Sequence, residues 1–369
     1  MSHDEPRRMS VSPPHVASEN AIHSGLEASM WERAKDRPFG GMPLSYVPRV
    51  LGRNLCVLVT GASGSGGSYL AEYALSLGHE VHGLARWHTL PKPVSRPSWQ
   101  AHECDLMDLG SVVRALKVSR PDVIFHLASH ANVRACFDTP LAVLNNNVMG
   151  TANLLEGIRL AGLDPLFVMC SSSEVYGQIK PGSGPLDEST SLNPVSPYAV
   201  SKLAQDALSF AYFKSFNVRV VRTRMFTYLN PRRADLFATS FAMQVAEIEA
   251  GKRAILRHGN LDSVRTVLDV RDAVRAYWLA AEHGVPGEVY NIGGTETVTV
   301  GQFLDALKSI ALCPIPSEPD PNLMRPADVT LQVPDCSKFI ALTGWRPVFK
   351  FRESVRDLLD HCRDAVSQH

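Results

Sequence analysis

Tyr198 and Lys202, in Ser196-Pro197-Tyr198-Ala199-Val200-Ser201-Lys202, have the types and spacing to take a proton from an alcohol. On a helix entered near Pro197, residues four apart face the same side. An ammonium beside a phenol favours phenolate and is expected to draw the tyrosine pKa toward neutrality, making Tyr198 a base for a hydroxyl. Upstream, Ser171-Ser172-Ser173-Glu174-Val175-Tyr176-Gly177 follows an apolar run directly. Ser172 is placed to hydrogen-bond a reacting oxygen and Glu174 to act as a second acid or base.

These groups need a scaffold and a cofactor, and both are legible upstream. Leu55-Cys56-Val57-Leu58-Val59 reads as a strand buried on both faces. The turn Thr60-Gly61-Ala62-Ser63-Gly64-Ser65-Gly66-Gly67 follows, then a helix over 68–77 ended by Gly78. Glycines at 61, 64 and 67 permit a tight turn, approach of backbone to a pyrophosphate and close helix–strand packing, with Ser63 inside the turn. The GxxGxxG spacing resembles the short-chain dehydrogenase/reductase superfamily. The next strand, over 80–85, ends in Arg86-Trp87-His88 with no ribose-binding acid, so Arg86 is expected to take the 2′-phosphate of NADP, leaving NAD the lesser expectation. Asp105-Leu106 lies where that superfamily places an acid near the adenine; Asp105 reads equally as a turn cap.

Further strands are expected over 122–127, 166–170 and 218–222, with helices over 140–160 and onward from Pro197. Strands alternating with helices predict an α/β fold, a Rossmann-type doubly wound parallel sheet. After Asn230 the rhythm changes: helices over 236–250, 272–283 and 351–366, short strands over 254–256, 264–267 and 288–292, and a Pro-rich loop over 314–326. The expected division is an N-terminal extension over 1–50, partly disordered. A nucleotide-binding domain follows over 51–230, with 260–295 returning to it. A smaller mixed substrate-binding subdomain comprises 231–259 and 296–369.

Composition narrows the class. The 369 residues are 45% hydrophobic and 20% charged, and Lys+Arg and Asp+Glu are 37 each, so there is no basic excess of the kind nucleic-acid binders carry. No apolar run reaches the ~18 residues of a membrane span, and the N-terminus lacks a signal-peptide core. The seven cysteines are scattered with no CxxC pair, so neither a zinc site nor a disulfide framework is expected, and reduced thiols in a cytoplasmic protein are.

From about Leu51 to Arg363 the chain resembles extended short-chain dehydrogenase/reductases acting on nucleotide sugars, and is most similar to the GDP-mannose 4,6-dehydratase family. Gly67-Ser68-Tyr69-Leu70-Ala71-Glu72, Val81-His82-Gly83, Pro197-Tyr198-Ala199-Val200, Asn230-Pro231-Arg232-Arg233 and Gly259-Asn260-Leu261-Asp262 carry that likeness; His126-Leu127-Ala128 and Asn147-Val148-Met149-Gly150-Thr151 are general to extended members. The resemblance implies that Tyr198 deprotonates the sugar O4, assisted by Ser172, while C4 gives hydride to NADP⁺. Glu174 then removes the acidic C5 proton and assists loss of the C6 hydroxyl as water. Hydride returns to C6, leaving a 4-keto-6-deoxy sugar. It also implies that Lys202 holds the nicotinamide ribose, that Leu127 and Ala128 line the cofactor, and that helices 140–160 and 199–214 pair across a homodimer or homotetramer.

Other segments resemble a sister family, the GDP-4-keto-6-deoxymannose reductases: Phe241-Ala242-Met243-Gln244-Val245-Ala246-Glu247-Ile248-Glu249, Arg325-Pro326-Ala327-Asp328-Val329 and Thr343-Gly344-Trp345-Arg346-Pro347. Glu174 discriminates, because elimination needs a base there, whereas the reductase pattern puts its acid where this chain has Val175. Two departures bear on the substrate: Thr227 replaces the usual asparagine after Phe226, and Thr266 the usual aspartate after Arg265. Thr227, Asn230, Arg232, Arg233, Arg265 and Arg325 are the expected substrate contacts, the arginines for the diphosphate of a GDP-linked sugar. The alternatives are a reductase using NADPH, an epimerase, or a non-catalytic NADP sensor, which has no need of Ser172, Tyr198 and Lys202 together.

Overall fold

The computed structural model describes residues 54–86, 98–179, 182, 184–324 and 329–368. The N-terminal extension, including the expected helix at 25–35, lies outside them, as does Arg325.

The first half alternates strand and helix: β1 (Cys56–Thr60), α1 (Ser65–Ser76), β2 (Glu80–Ala85), β3 (Trp99–Glu103), α2 (Leu109–Ser119), β4 (Val123–His126), α3 (Pro140–Leu144), α4 (Gly150–Ala161), β5 (Leu166–Ser172), α5 (Pro197–Phe216) and β6 (Val220–Met225). A π-helical turn, Asn145–Met149, joins α3 to α4, so the expected helix over 140–160 runs on with one local widening. The second half adds β7 (Tyr228–Leu229), α6 (Phe237–Glu249), β8 (Leu256–His258), β9 (Val264–Asp269), α7 (Val270–His283), β10 (Val289–Ile292), β11 (Glu296–Thr299), α8 (Val300–Ser309), β12 (Ser317–Pro319), β13 (Leu331–Gln332), α9 (Ser337–Thr343) and α10 (Phe351–Ser367).

Seven parallel strands form the main sheet in the order β10-β6-β5-β4-β1-β2-β3. The order reverses between β1 and β4, and a ligand crevice is expected outside the strand ends there. Alternate residues supply opposite faces. Val57, Val59, Phe125 and Val168 pack with α1 and α7. Leu58, Ile124, Phe167 and Met169 pack with α2, α4 and α5. That is why β4 and β5 read as unbroken apolar runs: no face is left for water.

α6, α8 and α10 enclose a separate core around Phe241, Phe303 and Leu359. A second sheet, β11-β9-β13 with β7 on β9, stands beside it, so β9 belongs to this smaller layer while α7 and β10 return to the main one. The Pro-rich 314–326 stretch contains β12, paired with β8. Among the described residues no helix is long and apolar enough to cross a membrane.

Candidate active site

A cavity of ≈ 240 Å³ opens at the carboxyl ends of β1, β4, β5 and β6. On its floor, α1 begins directly after the glycine turn. Its N-cap, Gly64, has no side chain to cap the helix, and the first turn carries no acid, so its amide groups remain available to an anion. A Cβ on Gly67 would lie 2.2 Å from Gly61 O, and one on Gly61, where φ is +67°, would lie 2.9 Å from Ala128 Cα. The turn is thus packed to the limit of glycine. The buried hydroxyls of Ser129 and Ser171, both on the cavity wall, have no partner among the described residues. A cradle of bare amides beside unsatisfied hydroxyls fits a dinucleotide pyrophosphate and ribose.

Tyr198 and Lys202 occupy the first two turns of α5, which Pro197 opens and Ser196 caps by accepting from Ala199 N at 3.1 Å. Lys202 Nζ donates to Cys170 O at 2.9 Å and lies 6.0 Å from the centre of the Tyr198 ring. Ser172 hydrogen-bonds the Tyr198 hydroxyl, and its Oγ accepts from Glu174 N at 3.2 Å. Ser172, Glu174, Tyr198 and Lys202 all line the cavity.

The expected pull of Lys202 on the Tyr198 pKa is corrected by the structure. Burial pushes the phenol up to about 12, opposed first by Arg233 and then by Ser172, while Glu174 and Tyr228 add to the rise. Burial also lowers Lys202 to about 8, so its own charge is weakened. Arg233 is the principal cation acting on Tyr198. It donates to Ala131 O at 2.6 Å and pairs with Asp235 at 2.9 Å.

A buried polar chain fixes α5 against the glycine turn. Thr60 Oγ1 lies 2.8 Å from His126 Nδ1, and His126 Nε2 lies 2.7 Å from Thr151 Oγ1. Thr151 donates to Asn147 O at 2.8 Å, Asn147 Nδ2 donates to Ser201 Oγ at 2.8 Å, and Ser201 donates to Tyr198 O at 2.7 Å. Burial, then the Lys202 charge, lowers His126 to about 3, so the link is a neutral imidazole.

Of the other expected contacts, Gly61, Gly64, Gly67, Leu127, Thr227 and Arg233 line the cavity. Ser63 and Ala128 belong to its supports: Ala128 N donates to Thr60 Oγ1 at 3.1 Å, and Ser63 stays in the turn. Arg86 is exposed at the end of β2, 3.5 Å from His130 Nε2, a placement open to a 2′-phosphate. Asp105 caps a turn, accepting from Met107 N at 3.0 Å, and Leu106 O accepts from Asn153.

Three expected substrate contacts are committed elsewhere. Arg232 pairs with Glu72 at 2.8 Å, donates to Ser68 Oγ at 2.9 Å and stacks on Tyr69. Arg265 is buried and donates to the carbonyls of Val264 and Val329. Asn230 is buried too, its Oδ1 accepting from Arg232 N at 3.0 Å. Both arginines find their acceptors in the folded chain, as a buried guanidinium must, whereas the buried Asn230 Nδ2 has no partner among the described residues.

The cavity also holds Tyr228, Tyr277 and Gln332, which the sequence did not single out. Gln332 Oε1 accepts from Ser173 Oγ at 3.2 Å, while its buried Nε2 has no partner among the described residues. It comes from β13, far along the chain from the Ser172–Glu174 turn, so no local motif announces it.

The family model described as GDP-mannose 4,6 dehydratase matches residues 58–358. A GDP-6-deoxy-D-mannose reductase of Pseudomonas aeruginosa is 32% identical over 314 residues, spanning 85% of this chain and 98% of that protein. A GDP-mannose 4,6-dehydratase of Vibrio cholerae is 29% identical over 355 residues, with 85% and 95% covered. The solved structure of RMD from Pseudomonas aeruginosa, complexed with NADPH, superposes with a TM-score of 0.72 at 29% identity, covering 84% of this chain and 99% of that one.

Proposed function

Because the chain belongs to the GDP-mannose 4,6-dehydratase family, we propose that it is an NADP-dependent nucleotide-sugar 4,6-dehydratase acting on GDP-mannose or a related GDP-sugar. The observation that carries this reading is Glu174: its turn is capped by Ser172 and it opens into the same cavity as Tyr198 and Lys202. Oxidation at a hydroxyl-bearing carbon needs only the tyrosine and serine beside the bound nicotinamide. Elimination across the adjacent carbons needs a second base, and Glu174 supplies it.

In this account Gly61, Gly64 and Gly67 hold the pyrophosphate, Arg86 the 2′-phosphate and Lys202 the nicotinamide ribose. When bound, the nicotinamide supplies the hydride acceptor and donor. Ser172 and Tyr198 bind the sugar O4, and Tyr198 takes its proton. Arg233, beside Tyr198, stabilises the phenolate that accepts this proton. Glu174 removes the C5 proton, which the C4 carbonyl has acidified, and returns a proton to the departing C6 oxygen. Water leaves, C6 takes back the hydride that C4 gave up, C5 takes a proton of solvent origin, and the sugar ends at its original oxidation level as a 4-keto-6-deoxy product. Thr227 and Gln332 supply polar contacts to the sugar.

A second reading, a 4-keto-6-deoxy-sugar reductase, is favoured by the Pseudomonas relative. The discriminating experiment is turnover in deuterated water. A dehydratase places one solvent deuterium on C5 of the product, and Glu174→Gln abolishes both exchange and water loss while NADPH affinity is retained. Exchange that survives Glu174→Gln removes the glutamate from the reaction.

We assign the division of labour between the main sheet, which holds the nucleotide, and the α6–α8–α10 layer, which closes over the sugar. Leu141, Met149, Leu160, Val200, Phe210 and Phe216 are exposed along α3–α5, which supports pairing of two chains through these helices. A cytoplasmic location accords with the reduced cysteines and the nucleotide-sugar substrate.

A further inference from the structure

We propose that Cys56, Glu80 and His82 form a binding site for one thiophilic divalent cation of the zinc class, at the opposite end of the sheet from the cavity. The sequence hides this site because no two of its donors have metal-finger spacing; strand register assembles it. Cys56 opens β1 directly beside Glu80, which opens β2, and His82 follows two residues on, on the same face. A thiol, a carboxylate oxygen and an imidazole nitrogen thereby lie within 4.8 Å of one another. His82 Nε2 and Glu80 Oε1 are already 3.1 Å apart. Bonds of about 2.0–2.3 Å to tetrahedral zinc separate donors by about 3.3–3.8 Å, so the widest pair has at most about 1 Å to close. Glu80, whose side chain is 49% exposed, has the freedom to do so, and the same exposure leaves a fourth position for water.

The surrounding groups are those a metal site needs. His82 Nδ1 lies 2.7 Å from His102 Nε2 on β3, with the two rings stacked 5.0 Å apart at 7°. With Nε2 on the cation, His82 Nδ1–H donates to His102, an orienting bond of the kind metal-bound histidines make. In that bond His102 Nε2 is the acceptor, at 2.7 Å. Gln100 Nε2 donates to Glu80 Oε1 at 3.1 Å, which steadies the carboxylate beside His82. Without metal the Cys56 thiol donates to Ser119 O, and burial, then Glu80 and Asp122, push it up to about 12. Binding breaks the S–H bond, forms the S–metal bond and releases the proton to solvent. Thiolate and carboxylate then balance the dication. One thiolate with one imidazole selects zinc over magnesium or calcium. At about 3.3 Å per residue, β1 sets the site ~13 Å from the glycine turn, so it is independent of the reaction proposed above.

The test is cobalt(II) titration of the full chain, stripped with a chelator and kept reduced with a phosphine. The expected result is a saturable thiolate-to-cobalt absorption band at one equivalent per chain, displaced by zinc, with a higher Tm in zinc and none in magnesium. Cys56→Ser removes the band, and His102→Gln weakens binding by about 10- to 100-fold. Should Cys56→Ser fail to fold, Glu80→Gln at its half-exposed position is expected to weaken binding with an unchanged metal-free melt. No saturable band in the wild type, or the same band in Cys56→Ser, overturns the site.

Discussion

Gly67→Ala tests the nucleotide cradle quantitatively. The added Cβ would sit 2.2 Å from Gly61 O, 2.8 Å from Gly61 C and 3.1 Å from Ala62 Cα. All three are backbone atoms, so the turn itself must open, and no side chain can move aside instead. Forcing a methyl into such packing costs about 1–3 kcal/mol. If cofactor binding must close the turn again, NADPH affinity falls by about 5- to 150-fold. Gly64→Ala separates turn geometry from approach to the pyrophosphate. Its φ of −76° suits any residue, and its Cβ meets only Gly61 O, at 3.1 Å. That variant is expected to keep its melt while losing NADPH affinity, because the methyl stands between backbone and pyrophosphate. Fluorescence titration with NADPH, with thermal melts alongside to score folding, measures both. Equal affinities for Gly67→Ala and wild type, or for Gly64→Ala and wild type, would refute the cradle.

Three further outcomes are expected. Tyr198→Phe lowers kcat by about 100-fold or more while NADPH affinity is unchanged; retained turnover would move the base elsewhere. Lys202, lowered to about 8, loses its proton as pH rises through that value, so kcat is expected to fall on the alkaline side. Lys202→Arg shifts that limb upward in a pH–rate profile, and an unmoved limb would assign it to another group. Asp206, on α5, is buried between Arg222 at 2.7 Å and Arg224 at 3.0 Å. Asp206→Asn removes the one carboxylate both cations share, leaving them the Gly287 and Glu188 carbonyls and the Tyr176 hydroxyl, and is expected to cost about 3–5 kcal/mol, read as a lower urea midpoint; a change under about 1 kcal/mol would show that these neutral partners suffice.

The parts legible in the sequence are those set by short-range pattern. The glycine turn lies between a buried strand and a helix, and Tyr198 and Lys202 lie one helical turn apart behind a Ser-Pro start, so spacing alone brought them to one cavity. What escaped was set by distant partners. Arg232 and Arg265 have the right type for a diphosphate, but Glu72 lies 160 residues from Arg232 and the Val329 carbonyl 64 from Arg265. β3 was missed because it is a largely exposed edge strand with no apolar run. The Tyr198 pKa depends on burial, which spacing does not report. The Cys56–Glu80–His82 cluster is a product of register between β1 and β2.

The central claim is a water-eliminating reaction that consumes no external reductant. Its most direct test is incubation of the purified chain with a panel of nucleotide sugars, GDP-mannose included, without added NADPH, followed by mass spectrometry. The account predicts loss of one water from a GDP-sugar and none from the other nucleotides. An unchanged panel, with 4-keto-6-deoxy sugars reduced only when NADPH is supplied, would contradict it and establish the reductase.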